Sequence, residues 1–152
     1  MVFTTPSDDR GTDASWPEKV RRFVGGFFLT MAGVNAGIVF ADPETYWHFA
    51  DGAYLEFVTR QWSVIVMANP SFWGLLLATG ELALGVMLLS GGPTARIGWL
   101  GVIVFHVLLM LFGPGIWLWC VPALAVLGPA ARADWPLLAE KRRVSRSLHK
   151  TR

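Results

Sequence analysis

Four apolar runs, at residues 23–41, 72–90, 97–112 and 115–131, constrain this chain more than any other feature. The first holds nineteen residues, which as an α-helix reach roughly 28 Å at 1.5 Å per residue. That is close to the hydrocarbon thickness of a bilayer, about 30 Å. Backbone polar groups inside hydrocarbon must be satisfied within their own segment, so each run reads as a helix. Composition agrees: 53% of residues are hydrophobic and 16% charged, where soluble domains carry about 25% charged residues. The eight tryptophans fall at the ends of the apolar runs, as interfacial anchors do. The expected fold is all-α, an integral membrane four-helix bundle with an extra interfacial helix between spans one and two.

The connecting segments carry their own signals. Residues 1–18 are turn-formers and acids without periodicity, expected to form a disordered leader with no secretory signal. Lys19, Arg21 and Arg22 are expected to stop the chain at the membrane surface. Asp42-Pro43 and Asn69-Pro70 each pair an N-cap with a proline suited to a first helical turn. The segment 43–60 is expected to be an interfacial helix, because four acids between residues 42 and 63 interrupt its apolar residues. Gly91-Gly92-Pro93 and Gly113-Pro114-Gly115 end spans two and three. The last run is short and is expected to kink at Pro122. Residues 19–131 then form the membrane domain and 132–152 a basic tail, suited either to an anionic leaflet or to simple solvation.

Charge sets the number of crossings. Twelve of the thirteen Lys and Arg residues lie before residue 23, at Arg96, or after residue 130. Four crossings gather those twelve on one side and place the acidic 42–63 segment on the other. Three crossings would send the basic tail outside, against the positive-inside rule. Both termini are therefore expected on the cytoplasmic side.

Three polar residues lie at depth: Asn35, Glu81 and His106. A charged carboxylate at mid-helix is unfavourable by about 2.5–3.5 kcal/mol, so Glu81 demands a partner, a proton or a function. Glu81 shares a helix face with Gly74, Ala78 and Gly85, and small residues at such intervals let helix backbones meet in a membrane. The same spacing places Gly26, Thr30, Gly33, Gly37 and Ala41 on one face of span one. Because Glu81 and His106 sit near the middle of antiparallel neighbours, a hydrogen bond or shared proton between them is expected. The alternatives are a neutral Glu81 bonded to a backbone carbonyl, a packing histidine, and an Asn35 that only joins helices.

Other chemistries are excluded. His48, His106 and His149 share neither an i, i+4 spacing nor a depth, so neither a metal site nor bis-His haem is expected. Cys120 stands alone, which rules out dithiol relay chemistry. The basic tail lacks an aromatic platform, so nucleic acid is not an expected partner. In the outer segment, Tyr46, Trp47, His48 and Tyr54, with Phe49, Phe57 and Trp62, read either as an aromatic lid over a headgroup site or as an interfacial belt.

From residue 49 to 107 the order is a loop, Asn-Pro, Gly80-Glu81-Leu82 with Gly85, Leu88-Leu89, Gly91, Arg96 and then an apolar span. That order resembles the DoxX-like family of small four-span bacterial membrane proteins, over about half the chain. The matching pieces are the glutamate followed by small residues in span two, and the glycine turn with a basic residue before span three. The acidic leader, the aromatic outer helix and the very short third loop depart from the family pattern. The resemblance implies a location in the bacterial inner membrane and a redox or stress-defence assembly there, some members resembling subunits of thiosulfate:quinone oxidoreductases. A quinone is the ligand it implies; no resident cofactor is expected. Three functional readings follow: an accessory, non-catalytic subunit of a quinone-linked assembly, a small transporter that requires a homo-oligomer, and a purely structural membrane partner. No nucleophile–base pair or phosphate loop supports a stand-alone enzyme.

Overall fold

The computed structural model describes the backbone of residues 14–150 and the side chains of residues 14–138. The leader over residues 1–13 and the side chains of the tail from residue 139 lie outside the described residues. The helices are α1 (Trp16–Ala41), α2 (Glu56–Gln61), α3 (Pro70–Ser90), α4 (Gly92–Leu109) and α5 (Pro114–Lys150), and no strand occurs among the described residues. A 3₁₀ helix, Pro43–Ala50, precedes α2; a π-helical turn, Trp62–Val66, follows it, and a 3₁₀ turn, Met110–Phe112, follows α4.

Four of these helices are long and apolar enough to cross a membrane: Trp16–Ala41, Pro70–Ser90, Gly92–Phe112 and Pro114–Leu138. Only 22–33% of each apolar stretch is buried in the protein. Phe23, Phe40 and Leu118 are at least 75% exposed. So much outward apolar surface is tolerable only where lipid covers it. The chain is a multi-pass helical membrane protein.

The helix starts follow their sequence signals. The Asp42 side chain accepts from the Glu44 amide at 3.1 Å, and Asn69 accepts from the Phe72 amide at 3.2 Å. Each fills one orphan N–H of a first turn whose proline has none to offer. Three expectations change. α1 begins at Trp16 and runs through Lys19, Arg21 and Arg22 rather than stopping there. The single outer helix expected over 43–60 is broken, with a turn at Asp51-Gly52 between its 3₁₀ and α parts. Tertiary bonds fold it back: Thr59 Oγ1 donates to the Ala50 carbonyl at 3.2 Å, and Trp62 Nε1 donates to the Tyr46 carbonyl at 2.9 Å. The last helix is longer than the run expected over 115–131, continuing to Lys150 with Pro122, Pro129 and Pro136 inside it.

α1 packs most extensively along α3, α3 along α4, and α4 along α5, while the α1–α5 seam is the loosest of the four. The α1–α3 contact is a backbone contact. A Cβ on Gly85 would sit 2.9 Å from the Gly25 carbonyl oxygen, so small residues are required where the helices cross. The face of α1 turned inward is Val24, Gly25, Phe28, Ala32, Asn35 and Val39. The small-residue stripe read from sequence lies one residue away: Cβ atoms on Gly26, Gly33 and Gly37 would meet open space. The corresponding face of α3 is as expected, with Gly74, Ala78, Glu81 and Gly85 all buried.

The two ends of the bundle differ. One end, called the basic end here, carries Arg21, Arg22 and Arg96 and a dry core of Leu88, Ala95, Trp99, Val102 and Ala130, each fully buried. There Arg21 on α1 meets Asp134 on α5, Nε to Oδ2 at 2.9 Å, an ion contact whose N–H is not aimed along the line of centres. Trp99 Nε1 of α4 donates to the same oxygen at 3.0 Å, and Arg21 also donates to the Leu88 carbonyl in the last turn of α3. One buried polar knot thus holds all four spanning helices. The opposite, aromatic end is built from the outer segment and the Met110–Phe112 turn.

Candidate functional site

The site begins with the direction in which helical side chains lean. Each Cα–Cβ bond tilts towards the N-terminus of its helix. α3 starts at the aromatic end, so Glu81 leans towards that end; α1 starts at the basic end, so Asn35 leans back towards Glu81. Asn35 Nδ2 donates to Glu81 Oε2 at 2.8 Å, and both residues are buried. His106, on α4, turns to its own helix instead. Its Nδ1 lies 2.8 Å from the Val102 carbonyl of its own helix. The expected Glu81–His106 hydrogen bond does not form among the described residues, and Asn35 takes its place.

Tyr46 completes the chain of bonds. Its hydroxyl donates to Asn35 Oδ1 at 2.7 Å, so Tyr46, Asn35 and Glu81 run in series from the outer segment into the bundle. Burial first, and the nearby Glu81 carboxylate second, push the Tyr46 hydroxyl above its ordinary range, which keeps it a donor. The position is sterically prepared: a Cβ on Gly74 would meet the Tyr46 ring and the Val39 side chain, so only glycine makes room for the tyrosine.

These groups border a cavity of about 470 Å³, within the range of small-molecule sites. Asn35, Tyr46, Glu81 and His106 are its polar corners, and aromatic rings make most of its wall. Phe49, Trp62 and Phe112 close it at the aromatic end, with ring centroids 4.8–5.3 Å apart. Phe28 and Phe105 pack edge to face at 5.5 Å beside His106.

Two acceptors remain open towards the cavity. The Val102 carbonyl can only accept, so His106 Nδ1 donates to it, which in the neutral imidazole leaves Nε2 as an acceptor. Among the described residues Glu81 Oε1 likewise makes no protein hydrogen bond, and neither atom is sealed off as a buried orphan. An apolar, ring-lined cavity with two acceptors on its wall suits a flat ligand with two donors.

Of the four lid candidates, only Tyr46 reaches this cavity. Trp47 is 52% exposed, His48 pairs outward with Asp51 at 2.7 Å, and Tyr54 packs on Trp117 at 5.5 Å. Phe49 and Trp62, read only as neighbours of that group, are the rings that form the wall. The aromatic wall from α1, α4 and α5 was not read from sequence, since a phenylalanine in a spanning run has no local mark that separates cavity from lipid. No family model, curated protein or solved structure matches this chain. Its class rests on its own geometry: a four-span helical bundle with a polar-cornered cavity inside it.

Proposed function

We propose that this chain is a DoxX-like accessory subunit of a quinone-linked redox or stress-defence assembly in a bacterial inner membrane, both termini cytoplasmic. The observation that carries the reading is the cavity itself, with Glu81 Oε1 and His106 Nε2 unpartnered on an aromatic wall. A quinol presents two hydroxyl donors on a flat ring, which matches two acceptors and aromatic packing. Oxidation of a quinol to the quinone releases two protons and two electrons. Glu81 and His106 receive the protons, and the Asn35–Tyr46 series leads from Glu81 towards the aromatic end. The electrons pass to a redox centre on a partner protein, so the chain works as the ligand-holding part of an assembly. Gathering the basic residues at one end of the bundle favours that end as the cytoplasmic one.

Glu81→Gln tests the reading, because it keeps the shape and an acceptor oxygen but cannot take up a proton. Quinol oxidation by membranes carrying the variant is expected to fall at least about a hundredfold, within the usual range for a positioned proton acceptor. The fold, followed by thermal unfolding in detergent, should be unchanged. Unaltered quinol oxidation together with a large stability loss in Glu81→Leu would instead assign Glu81 to helix packing.

The outward stripe of Gly26, Thr30, Gly33 and Gly37 favours a second reading, in which copies of the chain associate through α1. A monomeric mass in mild detergent disposes of it, and of the oligomeric transporter with it.

A further inference from the structure

A second cavity, of about 490 Å³, occupies the loose seam between α1 and α5. Val20, Phe23, Val24, Ala123, Val126 and Leu127 line it, and Lys19 stands at its basic-end mouth. It shares Phe27, Phe28, His106 and Trp119 with the first cavity, so the two meet at those four residues. The junction has an inner and an outer wall. Phe28 and His106 are buried, whereas Trp119 is 55% exposed and stacks on Phe27 at 5.8 Å across the seam. The two cavities thus adjoin at this junction, and the second extends from it along α1 towards the basic end.

We propose that the two cavities hold one ligand, its ring in the polar-cornered compartment and an apolar tail in the α1–α5 seam, so that the site selects long-chain prenyl quinones. This rests on the quinone reading above. Lipid is as apolar as the seam, so the tail gains nothing merely by leaving water. Its advantage lies in stiffness: the double bonds of a prenyl chain leave fewer rotors to order than a saturated acyl chain has, which lowers the ordering cost of binding. The occupant must also be continuous with a headgroup that uses Glu81 and His106, which a phospholipid anchored at Lys19 is not.

The test uses the full chain in zwitterionic nanodiscs, with quenching of tryptophan fluorescence by two probes: a ubiquinone bearing a single prenyl unit and a long-chain ubiquinone. At equal mole fraction, wild type should bind the long-chain probe about tenfold more tightly, equivalent to roughly 1.4 kcal/mol. Ala123→Phe and Val126→Trp each fill the seam and should erase that margin while leaving short-chain binding unchanged. Val126 is 53% exposed, so its variant decides the matter if Ala123→Phe does not fold. Equal affinities in wild type, or a margin that survives the substitutions in folded protein, overturn the tail assignment and leave the ring site standing. A margin that disappears on changing to anionic nanodiscs gives the seam to a phospholipid and also overturns it. Failure of wild type to bind either quinone overturns both readings.

Discussion

Asp134→Leu is expected to destabilise the folded protein by about 3–5 kcal/mol, the usual result of removing one partner of a buried ion pair. Asp134 is 1% exposed, pairs its charge with Arg21 and accepts from Trp99 Nε1. Its loss leaves the Arg21 guanidinium with only the more distant Glu18 carboxylate, at 3.8 Å, and an indole N–H without an acceptor, in a core otherwise made of Leu88, Val102 and Ala130. Part of the Arg21 charge is still met by the Leu88 carbonyl, which belongs to the C-terminal turn of α3 where a cation is favourable. That remaining contact argues for the lower end of the range. The double variant Arg21→Met/Asp134→Leu should be less destabilised than Asp134→Leu alone, because it removes the stranded charge. Equilibrium unfolding in detergent reads both. A single variant within about 0.5 kcal/mol of wild type would mean that the knot adds nothing measurable.

Gly113→Ala is expected to cost at least about 1–3 kcal/mol from backbone conformation alone, and more from overlap. Gly113 has φ 102° and ψ −178°, a region that only glycine occupies readily. A Cβ there would also run into the carbonyl of Gly52 in the outer segment. Either the turn between α4 and α5 or the 51–54 loop must move, and both bear on the Phe49–Trp62–Phe112 wall. Loss of stability should therefore come with a change in tryptophan emission and weaker quinone binding. A control at Gly115, where an added Cβ meets open space, should be near neutral. Equal effects at the two positions would mean that close approach to Gly52 is not what makes Gly113 glycine.

The site was legible in the sequence only in part, and particular residues show where legibility stopped. Glu81 was identified as the residue needing a partner, and its small-residue face was placed against protein. Its partner was not, because which of Asn35 and His106 meets Glu81 depends on how each neighbouring helix is turned about its axis. Arg21 was read as a stop at the membrane surface. Nothing local distinguishes it from Arg22 one position on, which is exposed and bonds Glu18 at 2.8 Å. Partners far along the chain, the Leu88 carbonyl and Asp134, pull Arg21 inward.

By itself the sequence determined that four helices are long and apolar enough to cross a membrane, and that Asn69-Pro70 opens and Gly91 closes the second of them. Those are questions of length, capping and turn chemistry, settled within a few neighbouring residues. Tertiary structure alone decided how each helix is rotated about its axis: Gly25 rather than Gly26 inward, Asn35 onto Glu81, the α1–α5 seam left open. The reason is the solvent. In water an apolar stripe marks the inner face of a helix, but lipid is as apolar as a protein core, so that mark is erased and only contact between helices restores it.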